Sequence, residues 1–96
     1  MKINKNKFIY LISPNKITAQ FYKILNEVLG TGKVSFFQMR LKRNSFKQKI
    51  SIGKKIKQIC KKNNVKFIIN DNPLLVKKLN ADGCHLGQTD TNIIEA

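Results

Sequence analysis

Three polar side chains, Gln38, Arg40 and Lys42, alternate with apolar ones in the stretch FFQMRLK. In an extended strand alternate side chains lie on the same side, so an amide, a guanidinium and an ammonium would share one face. A face of this kind suits a polyanion such as a diphosphate. The same pattern also fits an ordinary strand end that runs into solvent. The residues on the opposite side would pack under helices: Phe37, Met39 and Leu41.

A second group of candidate residues is acidic. The chain has 5 acidic residues against 19 basic ones, and Asp71, Asp82 and Asp90 fall within the single segment 68–90. Asn70 and Asp71 follow one predicted strand, and Asp90 follows the next. Carboxylates and amides at adjacent strand ends could hold Mg²⁺, which uses one or two protein carboxylates and fills its shell with water and phosphate oxygens. The alternative is that Asp71 starts a turn and Asp90 caps a helix.

The remaining residues with reactive side chains favour structural interpretations. His85, the only histidine, lies inside a predicted strand between Cys84 and Leu86, and we interpret it as a hydrogen-bonded core residue rather than a general base. Asp82 precedes that strand and is interpreted as a turn residue at its amino end. Cys60 and Cys84 form no CxxC pair, so we expect two buried, reduced thiols rather than a zinc or redox site.

The elements that would position these residues alternate between strand and helix. Short apolar runs predict strands near 7–12, 33–39, 65–69 and 82–87. Apolar residues at helical spacing predict helices over 18–30, 45–64 and 73–80, and the segment TDTNIIEA predicts the start of a fourth helix. Strands separated by helices indicate right-handed crossovers and a parallel sheet. Ligands bind such sheets at the carboxyl ends of the strands.

Local signals mark where these helices begin and end. Thr18 and Ser45 are suited to cap the first two helices. Pro73 suits the first position of the third helix, because proline lacks an N–H that would be unpaired there. Asn80 can adopt the left-handed turn that ends this helix.

Composition indicates one small domain of 96 residues with enough hydrophobic content, 42%, for a packed core. All basic residues except Arg40 and Arg43 are lysine, which resembles a general compositional drift more than a phosphate-binding surface. A basic fragment with weak, nonspecific nucleic-acid binding is one alternative function. The apolar run before Pro14 is too short for a signal peptide or a membrane span, so we expect a cytoplasmic protein.

Several motifs together resemble one enzyme family. FIYLIS, FYKILNEVL, VSFFQMRLK, FIINDN and ADGCHLGQTD occur in the order and spacing of thiamine phosphate synthase, from about Lys7 to Ala96. The resemblance implies a (β/α)₈ TIM barrel and a transferase of thiamine biosynthesis. That enzyme joins hydroxymethylpyrimidine diphosphate to thiazole phosphate, giving thiamine phosphate and diphosphate.

The resemblance also implies roles for individual residues, and none of them is a protein nucleophile. The residues implied to bind the pyrimidine diphosphate are Gln38, Arg40, Lys42 and Asn70. The residues implied to bind Mg²⁺ are Asp71 and Asp90. A related thiazole tautomerase on the same barrel is the other alternative function. It typically lacks the paired aspartates, so Asp71 and the GQTD motif favour the synthase.

Length is the main departure from the family. A barrel of this type usually takes roughly 200 residues or more, whereas residues 1–96 supply four strands and the start of the fourth helix. The segments that would bind the thiazole phosphate have no counterpart, and a half barrel leaves strand edges unpaired. We therefore expect a half barrel that is inactive alone. Three explanations stay open: a truncated product, a split enzyme with a second chain, or a homodimer.

Overall fold

Strands and helices alternate along the chain up to the fourth strand, as predicted. The computed structural model describes residues 9–86 and 92–95. The strands are β1 (Ile9–Ile12), β2 (Val34–Met39), β3 (Lys66–Asn70), β4 (Gly83–Leu86) and β5 (Asn92–Glu95). The helices are α1 (Ala19–Leu29), α2 (Phe46–Lys62) and α3 (Pro73–Leu79).

The first four strands form a parallel sheet in the order β1-β2-β3-β4. Each of β1, β2 and β3 is followed by a helix that leads to the next strand, and α2 contacts both α1 and α3. Successive right-handed crossovers thus place the three helices in one layer on one face of the sheet. The strand order never reverses, which distinguishes this arrangement from a doubly wound fold and matches half of a (β/α)₈ barrel.

The hydrophobic core lies between the helices and one face of the sheet. Phe37, Met39 and Leu41 are exposed by 0%, 2% and 6%, so the predicted apolar side of this stretch is confirmed. Residues on the neighbouring strands alternate in the same way, since Phe67, Ile69 and Cys84 belong to the same core. We call the face of the sheet opposite to the helices the open face.

The prediction of a fourth helix at 89–96 is wrong for residues 92–95. Residues Asn92–Glu95 form β5, which pairs antiparallel with β4 and places Ile94 opposite Cys84. The remainder of that predicted helix lies outside the described residues. The physical reason is the edge of β4, whose backbone N–H and C=O groups offer a pairing site. Ile93 and Ile94 are β-branched and favour extended structure over a helix.

The predicted helix caps hold with one exception. Ser45 and Gln48 form a capping box at the start of α2, and the Asn72 side chain accepts a hydrogen bond at the start of α3. Asn80 ends α3 in the left-handed conformation. Thr18 stands at the start of α1, but its side chain makes no capping hydrogen bond. None of the helices in residues 9–86 is long and apolar enough to cross a membrane.

Candidate functional site

Polar residues of three neighbouring strands meet at the carboxyl end of the sheet. Asn70 of β3 lies beside His85 of β4 in the strand register. Met39 of β2 lies beside Ile69 of β3, so Arg40 follows at the level of Asn70. Because side chains alternate along a strand, Asn70 and His85 lie on the open face, opposite to the core residues Ile69 and Cys84. The geometry thus groups residues that are far apart in sequence.

Gln38 lies on the open face of β2 but is 3% exposed. Its Nε2 atom donates a hydrogen bond of 2.9 Å to the Tyr10 hydroxyl, and its backbone oxygen accepts one of 2.9 Å from the Ser13 N–H. The Tyr10 ring in turn stacks on Phe36 with 5.6 Å between the ring centroids. The Gln38 amide is therefore held in a fixed position inside the sheet face rather than extended into solvent.

Arg40 is exposed, but its backbone is anchored. Its N–H donates a hydrogen bond of 2.8 Å to the Ser13 hydroxyl, and Ser13 is 7% exposed. This bond fastens the end of β2 to the end of β1, so the guanidinium extends from a fixed point. The sequence interpretation missed Ser13, although its position directly after the first strand was a usable signal.

A basic cleft lies near the carboxyl ends of β1 and β2. Its volume is about 530 Å³, and its lining residues are Asn15, Lys16, Lys42, Arg43 and Asn44. The structure therefore brings Lys42 together with two cations that the sequence interpretation did not single out. Gln38 and Arg40 do not line this cleft. Of the three residues of the predicted polar face, only Lys42 therefore lies in the cleft, and the other two lie in the adjoining part of the sheet.

Asp71 follows β3 directly and is exposed, whereas Asn70 is partly buried. The Asp71 backbone has a φ angle of 50°, a left-handed conformation that aspartate tolerates better than most residues. Its N–H donates a hydrogen bond of 2.8 Å to the backbone oxygen of His85. The backbone of Asp71 is thus fixed at the junction between the ends of β3 and β4.

The fit of these residues to Mg²⁺ depends on oxygen ligands. Asp71 offers one carboxylate and Asn70 one amide oxygen, both of which belong to the ligand set that Mg²⁺ uses. Asp90 lies outside the described residues. Within residues 9–86 and 92–95, no group of three or more histidine, cysteine or acidic side chains converges on one point. The described donors suit an ion that takes few protein ligands and completes its shell from water and phosphate.

His85 differs from its predicted role. It is partly buried on the open face rather than a member of the hydrophobic core. Its Nδ1 atom is buried and has no hydrogen-bond partner in the described part of the chain. The interpretation as a hydrogen-bonded core histidine is therefore wrong, because β4 turns its other side chains, including Cys84, towards the helices.

Asp82 has the structural role predicted for it. Its carboxylate accepts a hydrogen bond of 2.7 Å from the Phe67 N–H, and its own N–H donates one of 2.8 Å to the Phe67 oxygen. These bonds lie at the amino end of β3. A cleft of about 490 Å³ beside Asp82 opens at this same end, away from Arg40 and Asp71.

Both cysteines are buried free thiols, as predicted. Burial raises the pKa of the Cys60 thiol to about 12, and the negative charge of Asp82 adds to the effect. Burial also raises the pKa of the Cys84 thiol, and the Asp71 carboxylate contributes in the same direction, while a hydrogen bond from the Asn72 backbone acts against it. Neither thiol has the lowered pKa of a reactive cysteine.

Comparison with known proteins agrees with this geometry. A thiamine-phosphate synthase from Pelagibacter ubique is 64% identical over 96 residues, covering 99% of this chain and 46% of that protein. One from Picrophilus torridus is 38% identical over 82 residues, covering 85% of this chain and 40% of that protein. The solved thiamine phosphate pyrophosphorylase from Pyrococcus furiosus superposes with a TM-score of 0.74 at 25% identity, covering 88% of this chain and 41% of that one.

The chain spans less than half the length of these relatives. The family described as thiamine monophosphate synthase matches residues 9–96. This match covers the whole sheet, the basic cleft and the ends of β3 and β4. The chain therefore belongs to the thiamine monophosphate synthase family.

Proposed function

We propose that this chain forms the part of a thiamine phosphate synthase that binds hydroxymethylpyrimidine diphosphate. The complete enzyme would join this substrate to thiazole phosphate. The observation that carries the proposal is the placement of a basic cleft and Arg40 at the same end of the sheet as Asn70 and Asp71. This is the end at which parallel α/β sheets bind ligands.

The charges suit a diphosphate. Lys16, Lys42 and Arg43 surround one cleft, and Arg40 extends from the neighbouring strand end. Exposed cations act weakly one by one in water, but several around one polyanion add their effects. Arginine and lysine also donate charge-assisted hydrogen bonds to phosphate oxygens. A diphosphate is thus the ligand whose charge best matches this end of the sheet.

The proposed reaction needs positioning and charge stabilisation more than a protein nucleophile. The bond between the pyrimidine methylene carbon and the diphosphate oxygen breaks, and diphosphate leaves with the electron pair. The electron-rich pyrimidine stabilises the cationic carbon, and the thiazole nitrogen forms the new bond to it. Arg40 and Lys42 would stabilise the negative charge that develops on the leaving group.

Mg²⁺ is part of the same proposal. Asp71, together with Asp90, would hold the ion, and Asn70 would contact the substrate beside it. When bound, the ion would supply further positive charge to the diphosphate oxygens. Asp71 is suited to this role because its backbone hydrogen bond to His85 fixes the main chain that carries the carboxylate, directly after β3.

The relatives' names support a synthase rather than a tautomerase, since the relatives compared above are called thiamine-phosphate synthase. We propose that the thiazole phosphate site is formed by the portion of the barrel that this chain does not span. A second half-barrel chain or a second copy of this chain could supply it. The cytoplasmic location stays a prediction.

Calorimetric titration of this chain with inorganic diphosphate in the presence of Mg²⁺ tests the binding proposal. We expect Lys42→Ala to weaken binding roughly five- to tenfold, a change of about 1–1.4 kcal/mol that suits one exposed cation on a polyanion. Lys61→Ala removes the same charge from the opposite end of the sheet and should leave binding within about twofold. Absence of binding by the unmodified chain, or equal losses in both variants, would reject the proposal.

A further inference from the structure

We propose that His85 is a further substrate-binding residue, whose Nδ1 atom forms a hydrogen bond with the pyrimidine ring of the diphosphate substrate. The proposal rests on the function proposed above and extends it to a residue outside the set carried over from the family. It starts from the unpartnered Nδ1 atom of a histidine that lies in the candidate site.

The buried Nδ1 atom needs an explanation. It has no hydrogen-bond partner within residues 9–86 and 92–95. Most buried polar side-chain atoms have a partner, and each exception calls for a physical reason. A ligand that supplies the missing hydrogen bond is such a reason, and the position of His85 beside Asn70 at the carboxyl end of the sheet is where a ligand is expected.

The backbone holds His85 in place relative to the charged groups. Its oxygen accepts the 2.8 Å hydrogen bond from Asp71, and Cys84 beside it is fixed in the core. The imidazole is therefore attached to a rigid strand rather than to a loop. Rigid attachment suits a residue that orients a flat ring.

Position across the sheet indicates the ring rather than the diphosphate as the partner. The basic cleft with Lys16, Lys42 and Arg43 lies near the ends of β1 and β2, whereas His85 lies on β4, which β3 separates from β2. A ligand with a charged head and a flat ring would place its head in the cleft and its ring beside the imidazole. Ile68, on the same face of β3 and 2% exposed, adds an apolar residue to this part of the open face.

The chemistry of the two rings is compatible. Neutral imidazole presents one nitrogen as a donor and the other as an acceptor, and the partner selects the tautomer. An aminopyrimidine offers ring nitrogens that accept and an amino group that donates. Nδ1 of His85 can therefore bond to this ring in either tautomer, whereas inorganic diphosphate has no ring to engage it.

The test compares two probes, hydroxymethylpyrimidine diphosphate and inorganic diphosphate, by calorimetric titration of the chain with Mg²⁺. His85→Phe keeps a flat ring but removes both nitrogens, so we expect roughly tenfold weaker binding of the pyrimidine compound, as for one lost hydrogen bond. Binding of inorganic diphosphate should stay within about twofold. His85→Asn, whose amide reaches the position of Nδ1, should bind the pyrimidine compound more tightly than His85→Gln, whose amide reaches that of Nε2.

The outcomes separate this inference from the proposed function. If His85→Phe binds both probes like the unmodified chain, or if His85→Gln exceeds His85→Asn, the role of Nδ1 is overturned while the diphosphate site stands. A merely structural His85 would weaken both probes together. If the unmodified chain binds neither probe, the proposed function fails and this inference fails with it. If His85→Phe does not fold, the comparison of His85→Asn with His85→Gln decides whether Nδ1 binds the pyrimidine ring.

Discussion

Two aspartates lie at opposite ends of β3 and have different surroundings. Asp82 accepts a hydrogen bond from the buried Phe67 at the amino end, whereas Asp71 is exposed at the carboxyl end. The Asp82 carboxylate therefore stabilises β3, whereas Asp71 lies at the end of the sheet where a ligand is expected. Substituting each aspartate in turn should therefore separate effects on stability from effects on ligand binding.

We expect Asp82→Ala to lower the free energy of unfolding by about 1–3 kcal/mol, because the Phe67 N–H loses its acceptor. Asp71→Asn should change it by no more than about 0.5 kcal/mol, since asparagine also tolerates the left-handed backbone. The same Asp71→Asn change should weaken Mg²⁺-dependent binding of diphosphate. Urea titration measures the change in stability, and calorimetry measures the change in binding. An Asp82→Ala variant as stable as the unmodified chain would contradict this division of roles between the two aspartates.

The Cys60 thiol predicts a pH dependence. Its pKa is raised from 9.0 to about 12 by burial and by Asp82. Above about pH 9 the unfolded chain loses this proton while the native chain keeps it. The free energy of unfolding should therefore fall as pH rises from about 9 towards 12. Urea titrations between pH 8 and 10.5 should show a steeper fall for the unmodified chain than for Cys60→Ala, and parallel curves would show that the thiol is not responsible.

The first residues of α1 and α2 can be compared directly, because a side chain caps only one of the two helices. The Ser45 side chain accepts a hydrogen bond from the Gln48 N–H, whereas Thr18 makes no such bond. We expect Ser45→Ala to cost about 1 kcal/mol of stability, and Thr18→Ala to cost clearly less. Equal losses in urea titrations would mean that the capping box does not stabilise α2.

The packing of α2 against α3 depends on Gly53. A Cβ atom at this position would overlap the Cδ1 atom of Leu79, which is 3% exposed. Overpacking costs about 1–3 kcal/mol, and the better helix propensity of alanine offsets about 1 kcal/mol of it. We expect a net loss of stability for Gly53→Ala, with exposed Ser51→Ala as the control on the same helix. A Gly53→Ala variant more stable than the unmodified chain would mean that α2 and α3 can move apart without a loss of packing energy.

Sequence patterns predicted the elements well where one strong signal was present. The run FFQM and the helical spacing around Ile56 each allowed one interpretation, and both elements form. The pattern TDTNIIEA did not predict β5, because the open edge of β4 exists only after the sheet has formed. His85 was misassigned for a similar reason, since its position on the open face depends on the register with Asn70. The cleft around Lys42 likewise needs Lys16, which only folding brings close.

The sheet has one covered and one open face. The helices cover the core face, while Ile12 of β1, which lies beside Gln38 on the open face, is 47% exposed. The relatives are more than twice as long as the matched segment. A complementary half of the barrel is therefore the proposed partner of the open face, and both reactants could be held in line only when it is present.

The most direct test of the central claim joins residues 1–96 to the remaining portion of the Pelagibacter ubique relative and measures thiamine phosphate formation from both substrates with Mg²⁺. We expect turnover by the chimera and little or none by residues 1–96 alone, because positioning of both reactants can contribute roughly 7–11 kcal/mol. In the chimera Asp71→Asn and Arg40→Ala should each lower turnover at least tenfold, while Lys61→Ala should not. A folded chimera without turnover, or robust turnover by residues 1–96 alone, would contradict the claim that this chain supplies the pyrimidine diphosphate part of the site.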